Sequence, residues 1–396
     1  MPNTKFVVLI NPKSGGNVGA ELLSKFHGIL DETKVYNLQE GGPRKALEDH
    51  CMNDEQIERR CGNDSFRMIV CGGDGSVGWA ISVMDSMNIP LERRPAIGII
   101  PLGTGNDLSR ALGWGGKYIN KPLKTVLDEM AHAVVQSMDR WSIEAKIDTS
   151  IKQIKLAVDR GSNEAIKAEN KLPLNVVNNY FSFGFDALVA LQFHKARNSN
   201  PEKFTSRYKN LVFQGLKGGR GILAGACSSL MDYVTVTCDG IDYTKRLKKT
   251  KCTCVLFLNI KSYAGGTRPW RKGDRNFKKP AMDDGMIEVI GLDNMDQALL
   301  QIGGSGVNIC QCKSVVLKTV RAYPMQIDGE PFLMKPCTIR IDNDSTKAPM
   351  AKLLSKDNNS TQFYRDQELE EWAATTIQRS FRNSRKSRPL SREKRT

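Results

Sequence analysis

The first third of the chain alternates short apolar runs with glycine-rich turns and longer segments of mixed polarity. Short apolar runs between turn residues are typical of buried strands, and the longer amphipathic segments are typical of helices. We predict strands at 5–10, 34–38, from 66, and 96–100, and helices at 19–30, 43–60, 78–87 and near 108 onward. This rhythm predicts a parallel sheet with crossover helices, whose ligands bind beyond the C-terminal ends of the strands. The rule brings together the loops at 11–16, 72–76 and 101–107.

The pattern changes after about residue 138, where short segments rich in Val, Ile and Thr follow one another closely. Such spacing predicts an antiparallel sandwich or barrel. The expected strand segments are 141–147, 174–186, 232–240, 252–260, 285–292, 314–323, 325–332 and 337–342, with one helix inserted at 186–197 and a mobile surface loop at 148–171. The fold class is therefore an α/β domain with a parallel sheet, followed by an antiparallel, β-rich, sandwich-like domain.

Polarity also sets the predicted domain boundaries. We divide the chain into an α/β domain (1–137), a β-rich domain (138–345), a polar linker (346–368) and a basic amphipathic tail (369–396). In the tail, Leu369, Ala373, Ile377 and Phe381 recur every four residues and share one helical face.

Composition and charge narrow the classes of function. The formal net charge is +15, and residues 379–396 hold eight Arg or Lys and one Glu. A protein with this excess of positive charge could bind anionic lipid, an acidic protein or nucleotide phosphate. No apolar run approaches the ~20 residues of a membrane span, and we find no signal peptide pattern. We expect a cytoplasmic protein whose membrane contact is peripheral.

The ten cysteines favour a reduced core. Cys252 with Cys254 and Cys310 with Cys312 have C-x-C spacing inside apolar segments, which places both thiols on one face of a strand. No C-x-x-C pair occurs, so a zinc module is not expected.

The loop "VCGGDGSVGWA" (70–80) formally matches G-x-G-x-x-G from Gly73 to Gly78. A dinucleotide site is disfavoured, because the loop follows a later strand and the Asp74 carboxylate would repel a pyrophosphate. Glu92, the candidate ribose partner, lies beside two arginines. No Walker A sequence occurs, so phosphate would need backbone N–H groups, a helix N-terminus or Mg²⁺. A carboxylate at Asp74 is compatible with a nearby phosphate if it acts through Mg²⁺. The alternative is that Asp74 caps the next helix.

The loop "PLGTGNDLSR" (101–110) repeats this chemistry. Gly103 and Gly105 allow close backbone approach, Thr104 and Asn106 offer neutral hydrogen bonds, and Asp107 adds a second carboxylate. The alternative is that Asp107 caps the helix near residue 108.

Together, "LINPKSGG", "CGGDGSVGW", "PLGTGNDLSRALGWGG", "NNYFSFGFDALVALQFHKARN", "LNIKSYAGGTRPW", "MDDGMIEVIGL" and "MQIDGEPF" closely resemble the catalytic region of eukaryotic diacylglycerol kinases. The resemblance covers about residues 5–342. It implies transfer of the γ-phosphate of ATP to 1,2-diacylglycerol, giving phosphatidic acid, with ATP in a cleft between two domains.

The resemblance also implies roles for individual residues. The nucleotide site would be lined by Asn11, Gly72, Gly73, Asp74, Gly75, Gly103, Thr104, Gly105 and Asn106. Asp74 and Asp107 would belong to a magnesium-organising network, with Asp139 as a further member, and Asp283 and Asp284 match a position linked to a structural magnesium.

The general base is expected near the acceptor, since an alcohol is a poor nucleophile until its proton can leave. "MQIDGEPF" resembles the family segment that carries this residue, which indicates Asp328, with Glu330 two positions on. The alternative for Asp328-Gly329 is a hairpin turn.

This sequence departs from the family in two respects. The resemblance begins at the first strand, so the cysteine-rich zinc modules of many animal members are not expected, whether the form is compact or the gene product incomplete. "IQRSFRNSRKSRPL" resembles an IQ motif at Ile377, Gln378 and Arg382, but Asn383 replaces the usual glycine. The tail could bind calmodulin, bind lipid as a basic amphipathic helix, or be merely solvated.

Two other functions stay open at this point. One is phosphorylation of sphingosine or ceramide. The other is a catalytically silent relative that binds calmodulin or membranes.

Overall fold

The first strand illustrates how the parallel part of the fold arises. In "KFVVLI", Val7 and Leu9 pack into one hydrophobic cluster, and Val8 and Ile10 pack into another. Since successive side chains of a strand point to opposite faces, a continuous apolar run is buried on both sides. Helices therefore cover both faces of the sheet here. The computed structural model describes residues 4–16, 18–52, 66–151, 168–199, 227 and 229–354.

The helices and strands alternate first and then give way to strands. The helices are α1 (Val18–His27), α2 (Gly42–Leu47), α3 (Asp74–Ser86), α4 (Asp107–Ala111), α5 (Leu123–Ala131), α6 (Phe185–Ser199), α7 (Thr244–Lys249) and α8 (Asn294–Leu300). The strands are β1 (Lys5–Ile10), β2 (Val35–Asn37), β3 (Phe66–Gly72), β4 (Ala96–Pro101), β5 (Val134–Ile147), β6 (Val176–Val177), β7 (Tyr180–Gly184), β8 (Val234–Cys238), β9 (Ile241–Asp242), β10 (Cys254–Leu258), β11 (Ile287–Leu292), β12 (Val307–Cys312), β13 (Ser314–Thr319), β14 (Tyr323–Ile327), β15 (Glu330–Met334) and β16 (Cys337–Lys352).

A ten-stranded sheet joins the N-terminal and C-terminal parts of the described chain. Its order is β2-β1-β3-β4-β16-β13-β8-β9, and β5 pairs with both β16 and β6. Strands β1 to β4 are parallel, and β16 adds beside β4 with Met350 opposite Ile97. Strand β5 runs across the predicted boundary at 137/138, and β16 continues to Lys352, within the predicted linker. The two predicted domains thus share one sheet.

A second, six-stranded antiparallel sheet has the order β12-β11-β10-β7-β14-β15. It packs against the C-terminal strands of the first sheet, and a single apolar cluster that includes Trp141, Phe181 and Phe257 fills the space between them. This is the predicted sandwich-like part of the fold. Asn179, directly before β7, contacts Asp74 of the glycine-rich loops and also the β14–β15 turn at Asp328, which positions the candidate site.

Most predicted elements are confirmed, but helices α5, α7 and α8 and strand β12 were not predicted, and the bounds of other elements differ. Helix α3 begins at Asp74, four residues before the predicted start, because Gly73 takes an extended conformation that can precede a helix. Helix α8 was not expected; Asp293 and Asp296 form a reciprocal capping box at its start. Within the described part of the helix expected at 43–60, the α-helix reaches Leu47 and a π-helical turn follows over Glu48–Met52. Residues 53–60, most of the loop predicted at 148–171, and the chain after 354, which holds the predicted tail, lie outside the described residues.

Cys310 and Cys312 share one face of β12, as the C-x-C spacing predicts, but the prediction is wrong for the other pair, because Cys252 precedes β10 and packs in a different cluster from Cys254. The nine described cysteines are all buried and unpaired by disulfides. The thiols of Cys238, Cys310 and Cys312 lie within 4.8 Å of one another in the core between the sheets. None of the described helices has the length and apolar content needed to cross a bilayer.

Candidate active site

The GGDG segment joins the end of a strand to the first turn of a helix. Gly72 ends β3, and Gly73 precedes α3 with φ −95° and ψ −178°. The N–H groups of Ser76 and Val77 donate to the Gly73 carbonyl, which closes the first turn. Asp74 therefore lies at the positive end of a 13-residue helix. The negative charge in the loop is placed where a helix stabilises it.

Two glycines bring the two glycine-rich loops into contact. A Cβ atom on Gly103 would lie 2.5 Å from Gly73 Cα and 2.7 Å from Asn106 Oδ1. Asn106 has a left-handed φ of +50° and donates from its side-chain amide to the carbonyls of Gly103 and Gly116, at 2.7 and 2.8 Å. The close approach requires glycine at Gly103.

The third loop reaches the same edge of the sheet. The N–H of Asn11 donates to the Cys71 carbonyl at 3.1 Å, and its side-chain oxygen accepts from the N–H of Lys13. Thr104 is exposed on the rim. Loops 11–16, 72–76 and 101–107 thus lie side by side, as the parallel sheet predicts.

The two oxygens of the Asp74 carboxylate differ in their hydrogen bonding. Its Oδ2 accepts from the N–H groups of Asp107 (2.9 Å) and Leu108 (3.3 Å) and from Asn179 Nδ2 (2.9 Å). Asp74 therefore caps α4 from a different segment of the chain, instead of capping its own helix. Its Oδ1 is buried and has no hydrogen-bond partner among the described residues.

Burial raises the pKa of Asp74 to about 7, and the neighbouring Asp107 and Asp328 carboxylates act in the same direction. Hydrogen bonds from α4 oppose this shift only in part. A buried carboxylate with an open oxygen and a raised pKa would gain from a bound cation, because the cation stabilises its charged form.

The Asp107 carboxylate accepts hydrogen bonds from a neighbouring loop. It accepts from Ser262 Oγ (2.5 Å) and from the N–H groups of Gly265 (3.0 Å) and Gly266 (3.0 Å). Burial raises its pKa and these hydrogen bonds lower it. It does not cap α4, which was the alternative drawn from the sequence; it joins the loop at 262–266 to the glycine-rich loop at 101–107.

Asp328 lies in a two-residue hairpin turn between β14 and β15. Asp328 and Gly329 have φ of +50° and +87°, as a type I′ turn requires, so the hairpin alternative is confirmed. Glu330 begins β15, opposite Ile327, and is exposed. It does not share a strand face with Asp328, because the turn separates them.

The Asp328 carboxylate is fully engaged. Oδ2 accepts from the N–H and the Nδ2 of Asn178, at 2.9 and 3.1 Å, and Oδ1 accepts from the N–H groups of Asn179 and Tyr180, at 2.7 and 3.0 Å. A carboxylate has about four lone-pair sites, so these four hydrogen bonds use them all. Burial raises the pKa of Asp328, and the same hydrogen bonds oppose that shift.

Asn178 and Asn179 are site residues that the sequence analysis missed. Asp328 fixes their backbone, and the side chain of Asn179 then reaches Asp74. Asn259 supports the pair from behind: its Nδ2 donates to the carbonyls of Asn178 and Asp139, at 2.6 and 2.8 Å. The sequence feature that could have indicated them is the pair of adjacent asparagines directly before an apolar strand. Both are buried in the structure, and buried amides need specific hydrogen-bond partners.

A second group of carboxylates makes other contacts. Asp139 accepts from the Gly285 N–H (2.6 Å) and from Lys347 Nζ (2.9 Å). Asp283 accepts from Gln136 Nε2 at 3.4 Å, and Asp284 accepts from the Met286 N–H. Burial, with the nearby Asp139 and Asp283, raises the pKa of Asp284. The Lys347 ammonium already supplies a cation here, and the structure does not bring these side chains into contact with Asp74.

The donor atoms beside Asp74 fit Mg²⁺. Asp74 Oδ1 and the side-chain oxygens of Asn106 and Asn179 are buried without a hydrogen-bond partner among the described residues. Asn179 contacts Asp74 directly, and Asn106 directly precedes α4, so the three belong to one neighbourhood. Mg²⁺ prefers oxygen ligands of this kind.

Comparison with known proteins defines the class. Residues 5–138 match the diacylglycerol kinase catalytic domain, and residues 176–331 match the diacylglycerol kinase accessory domain. The chain therefore belongs to the diacylglycerol kinase family.

Individual relatives agree with this assignment. The chain is 44% identical over 336 residues to the eye-specific diacylglycerol kinase of Drosophila melanogaster, covering 85% of this chain and 22% of that protein. It is 41% identical over 337 residues to diacylglycerol kinase iota of Homo sapiens, covering 85% and 30%. It is 41% identical over 350 residues to diacylglycerol kinase zeta of Homo sapiens, covering 87% and 36%. The chain thus spans only 22% to 36% of the length of these relatives.

Likeness to solved structures is weaker. A putative diacylglycerol kinase from Bacillus anthracis str. Sterne has a TM-score of 0.49 and 18% identity, over 87% of this chain and 97% of that one. The family assignment rests on the sequence matches.

Proposed function

We propose that this chain is an ATP- and Mg²⁺-dependent diacylglycerol kinase, which transfers the γ-phosphate of ATP to the free hydroxyl of 1,2-diacylglycerol and forms phosphatidic acid. The observation that carries this proposal is Asp74, a buried carboxylate with one open oxygen at the edge where three glycine-rich loops meet. The family membership and the names of the relatives support diacylglycerol as the acceptor.

The glycine-rich loops would bind the triphosphate. No Walker A lysine is present, so backbone N–H groups and the N-terminus of α3 would face the phosphates. Asp74, with the side-chain oxygens of Asn106 and Asn179, would hold Mg²⁺, which would neutralise charge on the phosphates. Phosphoryl transfer depends mainly on positioning and charge stabilisation, and this arrangement provides for both.

We infer different roles for the two aspartates that the resemblance marks as catalytic. Asp74 has the open oxygen and is the catalytic carboxylate. Asp328 is a positioning residue, because all four of its lone-pair sites accept hydrogen bonds from residues 178–180. To take a proton from the acceptor, Asp328 would have to give up one of these bonds. Its role is to fix Asn179, which in turn fixes Asp74.

The remaining assignments are proposals of the same kind. Residues 1–137 would bind the nucleotide, with Asn11, Gly72, Gly75, Thr104 and Gly105 at its edge, and residues 138–345 would present the acceptor. Asp107 would organise the site through the loop at 262–266. Asp283 and Asp284 would hold a structural magnesium only by displacing Lys347 from Asp139. The enzyme would act at the surface of membranes, since its acceptor is a lipid.

One experiment tests the reaction and its rivals. The purified chain is incubated with radiolabelled ATP and, in parallel, micellar diacylglycerol, sphingosine, ceramide, or NAD. We expect labelled phosphatidic acid and no product of comparable yield from the other acceptors. Preferred labelling of sphingosine or ceramide would replace the acceptor assignment. Absence of any product at saturating Mg²⁺ would favour the silent relative.

We also propose that the tail at 369–396 binds calmodulin through its IQ-like sequence. The motif residues Ile377, Gln378 and Arg382, on a basic amphipathic pattern, support this. A peptide covering 366–396 is titrated with calmodulin, with and without calcium. Binding in neither condition would leave lipid binding or a solvated tail.

A further inference from the structure

A strongly basic loop leads away from the candidate active site. Residues 261–279, called here the basic loop, contain seven cationic side chains and one acidic side chain, Asp274. The cationic residues are Lys261, Arg268, Arg271, Lys272, Arg275, Lys278 and Lys279, and all seven are exposed. In the described part of the chain, no salt bridge neutralises Lys272, Arg275 or Lys278. The loop therefore presents its charge to solvent.

The basic loop is anchored to the sheet beneath it. The Trp270 and Phe277 rings meet edge to face at 5.2 Å and pack on an apolar cluster. Asn308 and Gln311 of β12 bind the backbone of the loop: Arg271 N–H donates to Asn308 Oδ1, and Lys278 N–H donates to Gln311 Oε1, both at 2.9 Å. With its aromatic side chains inward and its backbone bonded, the loop holds its cations outward on a fixed surface.

Exposed apolar side chains lie beside the cations. Met295 and Leu299 are one turn apart on α8, and Ile302 follows; they are 67%, 39% and 51% exposed. The Gly306 N–H donates to the Pro269 carbonyl at 2.8 Å, which joins this segment to the basic loop. Leu300 of α8 and Trp270 also share one hydrophobic cluster. The surface thus combines a cationic zone with an apolar projection.

The same loop begins at the candidate site. The N–H groups of Gly265 and Gly266 donate to the Asp107 carboxylate, and Asp107 N–H donates to Asp74. The basic surface is therefore continuous with the edge at which the acceptor must arrive.

We propose that the basic loop and the exposed residues 295, 299 and 302 form the surface by which this chain docks on an anionic lipid bilayer. Lysine and arginine are attracted to anionic headgroups, and apolar side chains among them insert at the interface. Nucleic acid would use the charges but not the apolar projection. The inference deepens the proposed function, since it specifies the face from which a lipid acceptor would be drawn.

The location of contact is tested in the full chain with tryptophan reporters. Ile302→Trp places a reporter on the proposed surface. Leu91→Trp places one at an exposed site before β4, at the edge of the sheet opposite the glycine-rich loops. The probes are phosphatidylcholine–phosphatidylserine vesicles containing brominated acyl chains, without ATP or diacylglycerol. We expect added quenching, relative to the unsubstituted protein, for Ile302→Trp and none for Leu91→Trp.

Charge is tested by co-sedimentation with the same vesicles. Lys272→Glu combined with Lys278→Glu is expected to weaken binding by at least about tenfold. The matched control is Lys45→Glu combined with Lys171→Glu, which makes the same change of charge. Lys45 lies beside β2, an edge strand of the ten-stranded sheet, and Lys171 lies near β15, the edge of the six-stranded sheet opposite β12. We expect the control to keep most of its binding. Thermal melts confirm that each variant is folded.

Vesicle binding without quenching at Ile302→Trp would mean that another surface, such as the tail, makes the contact, and would overturn the proposal. Equal loss of binding in the control, or no binding by the unsubstituted chain, would also overturn it. Because no phosphoryl transfer is measured, these outcomes are independent of the proposed reaction.

Discussion

The side-chain amide of Asn179 donates to Asp74 Oδ2 at 2.9 Å, across a sequence separation of 105 residues. The backbone N–H of the same asparagine donates to Asp328. Asp74 and Asp328 are therefore connected through one residue, and a change at either end should be felt at the other.

Asp74→Asn should abolish turnover and keep the fold. The asparagine oxygen can accept the three hydrogen bonds now made to Oδ2, while its amide replaces the open oxygen. We expect kcat to fall by at least about 10³. Because the pKa of Asp74 is raised from 3.8 to about 7, ionisation costs stability as pH rises through this range. The variant should therefore melt at a higher temperature than the unsubstituted protein at pH 8, with little difference at pH 4. Full activity would show that Asp74 is not the catalytic carboxylate.

Asp328→Asn should resemble Asn179→Ala, because both release Asp74 from its support. We expect both to lower kcat, Asn179→Ala at least as much because it also removes a proposed Mg²⁺ ligand, and the double variant to lose less than the product of the two losses. The acidic limb of the kcat/KM profile should persist in each, since Asp74 is retained. If Asp328 were the proton acceptor, its variant would lose that limb and Asn179→Ala would keep it.

The Mg²⁺ requirement should depend on pH. Asp74 must lose its proton to bind the ion, and its pKa is about 7. The Mg²⁺ concentration for half-maximal activity should rise below pH 7, by up to about tenfold per pH unit, and level off above it. A requirement that is constant between pH 6 and pH 8 would separate Asp74 from the metal.

Gly103→Ala should disrupt the contact between the two glycine-rich loops. Its Cβ would meet Gly73 Cα at 2.5 Å, which neither backbone can avoid without moving. We expect a marked loss of kcat/KM for ATP and a lower melting temperature. The matched control is Gly28→Ala, whose Cβ would meet its nearest atom at an ordinary 3.5 Å. Equal behaviour of the two variants would contradict the close approach.

Glu288, on the face of β11 that points away from the core between the sheets, provides a test that is separate from catalysis. Burial raises the pKa of Glu288 to about 8, and Gln311 donates to it at 3.1 Å. The raised pKa means that stability is lost as pH rises toward 8 and the buried side chain ionises. Glu288→Gln keeps the hydrogen bond and removes that loss, so its gain in melting temperature should grow between pH 6 and pH 9. Glu330→Gln, at an exposed site, should show no such trend.

The sequence predicted which loops and carboxylates lie together, but it did not predict which hydrogen bonds each carboxylate makes. The glycine-rich loops converge as the strand order requires, and Asp74, Asp107 and Asp328 meet in one neighbourhood. The sequence could not separate an aspartate that is open from one whose lone pairs are all used, because those donors come from segments distant along the chain.

What the sequence by itself determined is local: the parallel strands, buried on both faces because their runs are continuously apolar, the glycines at close approaches, and the acidic residue types at the carboxyl edge. Only the tertiary structure decided which segments, distant along the chain, come into contact. Strand β16 pairs with β4, and the side chain of Asn179 donates a hydrogen bond to Asp74. The Asp328 carboxylate accepts hydrogen bonds from the backbone N–H groups of residues 178–180. The physical reason is that propensity and periodicity act over a few residues, whereas the saturation and burial of a polar group depend on the donors that packing brings to it.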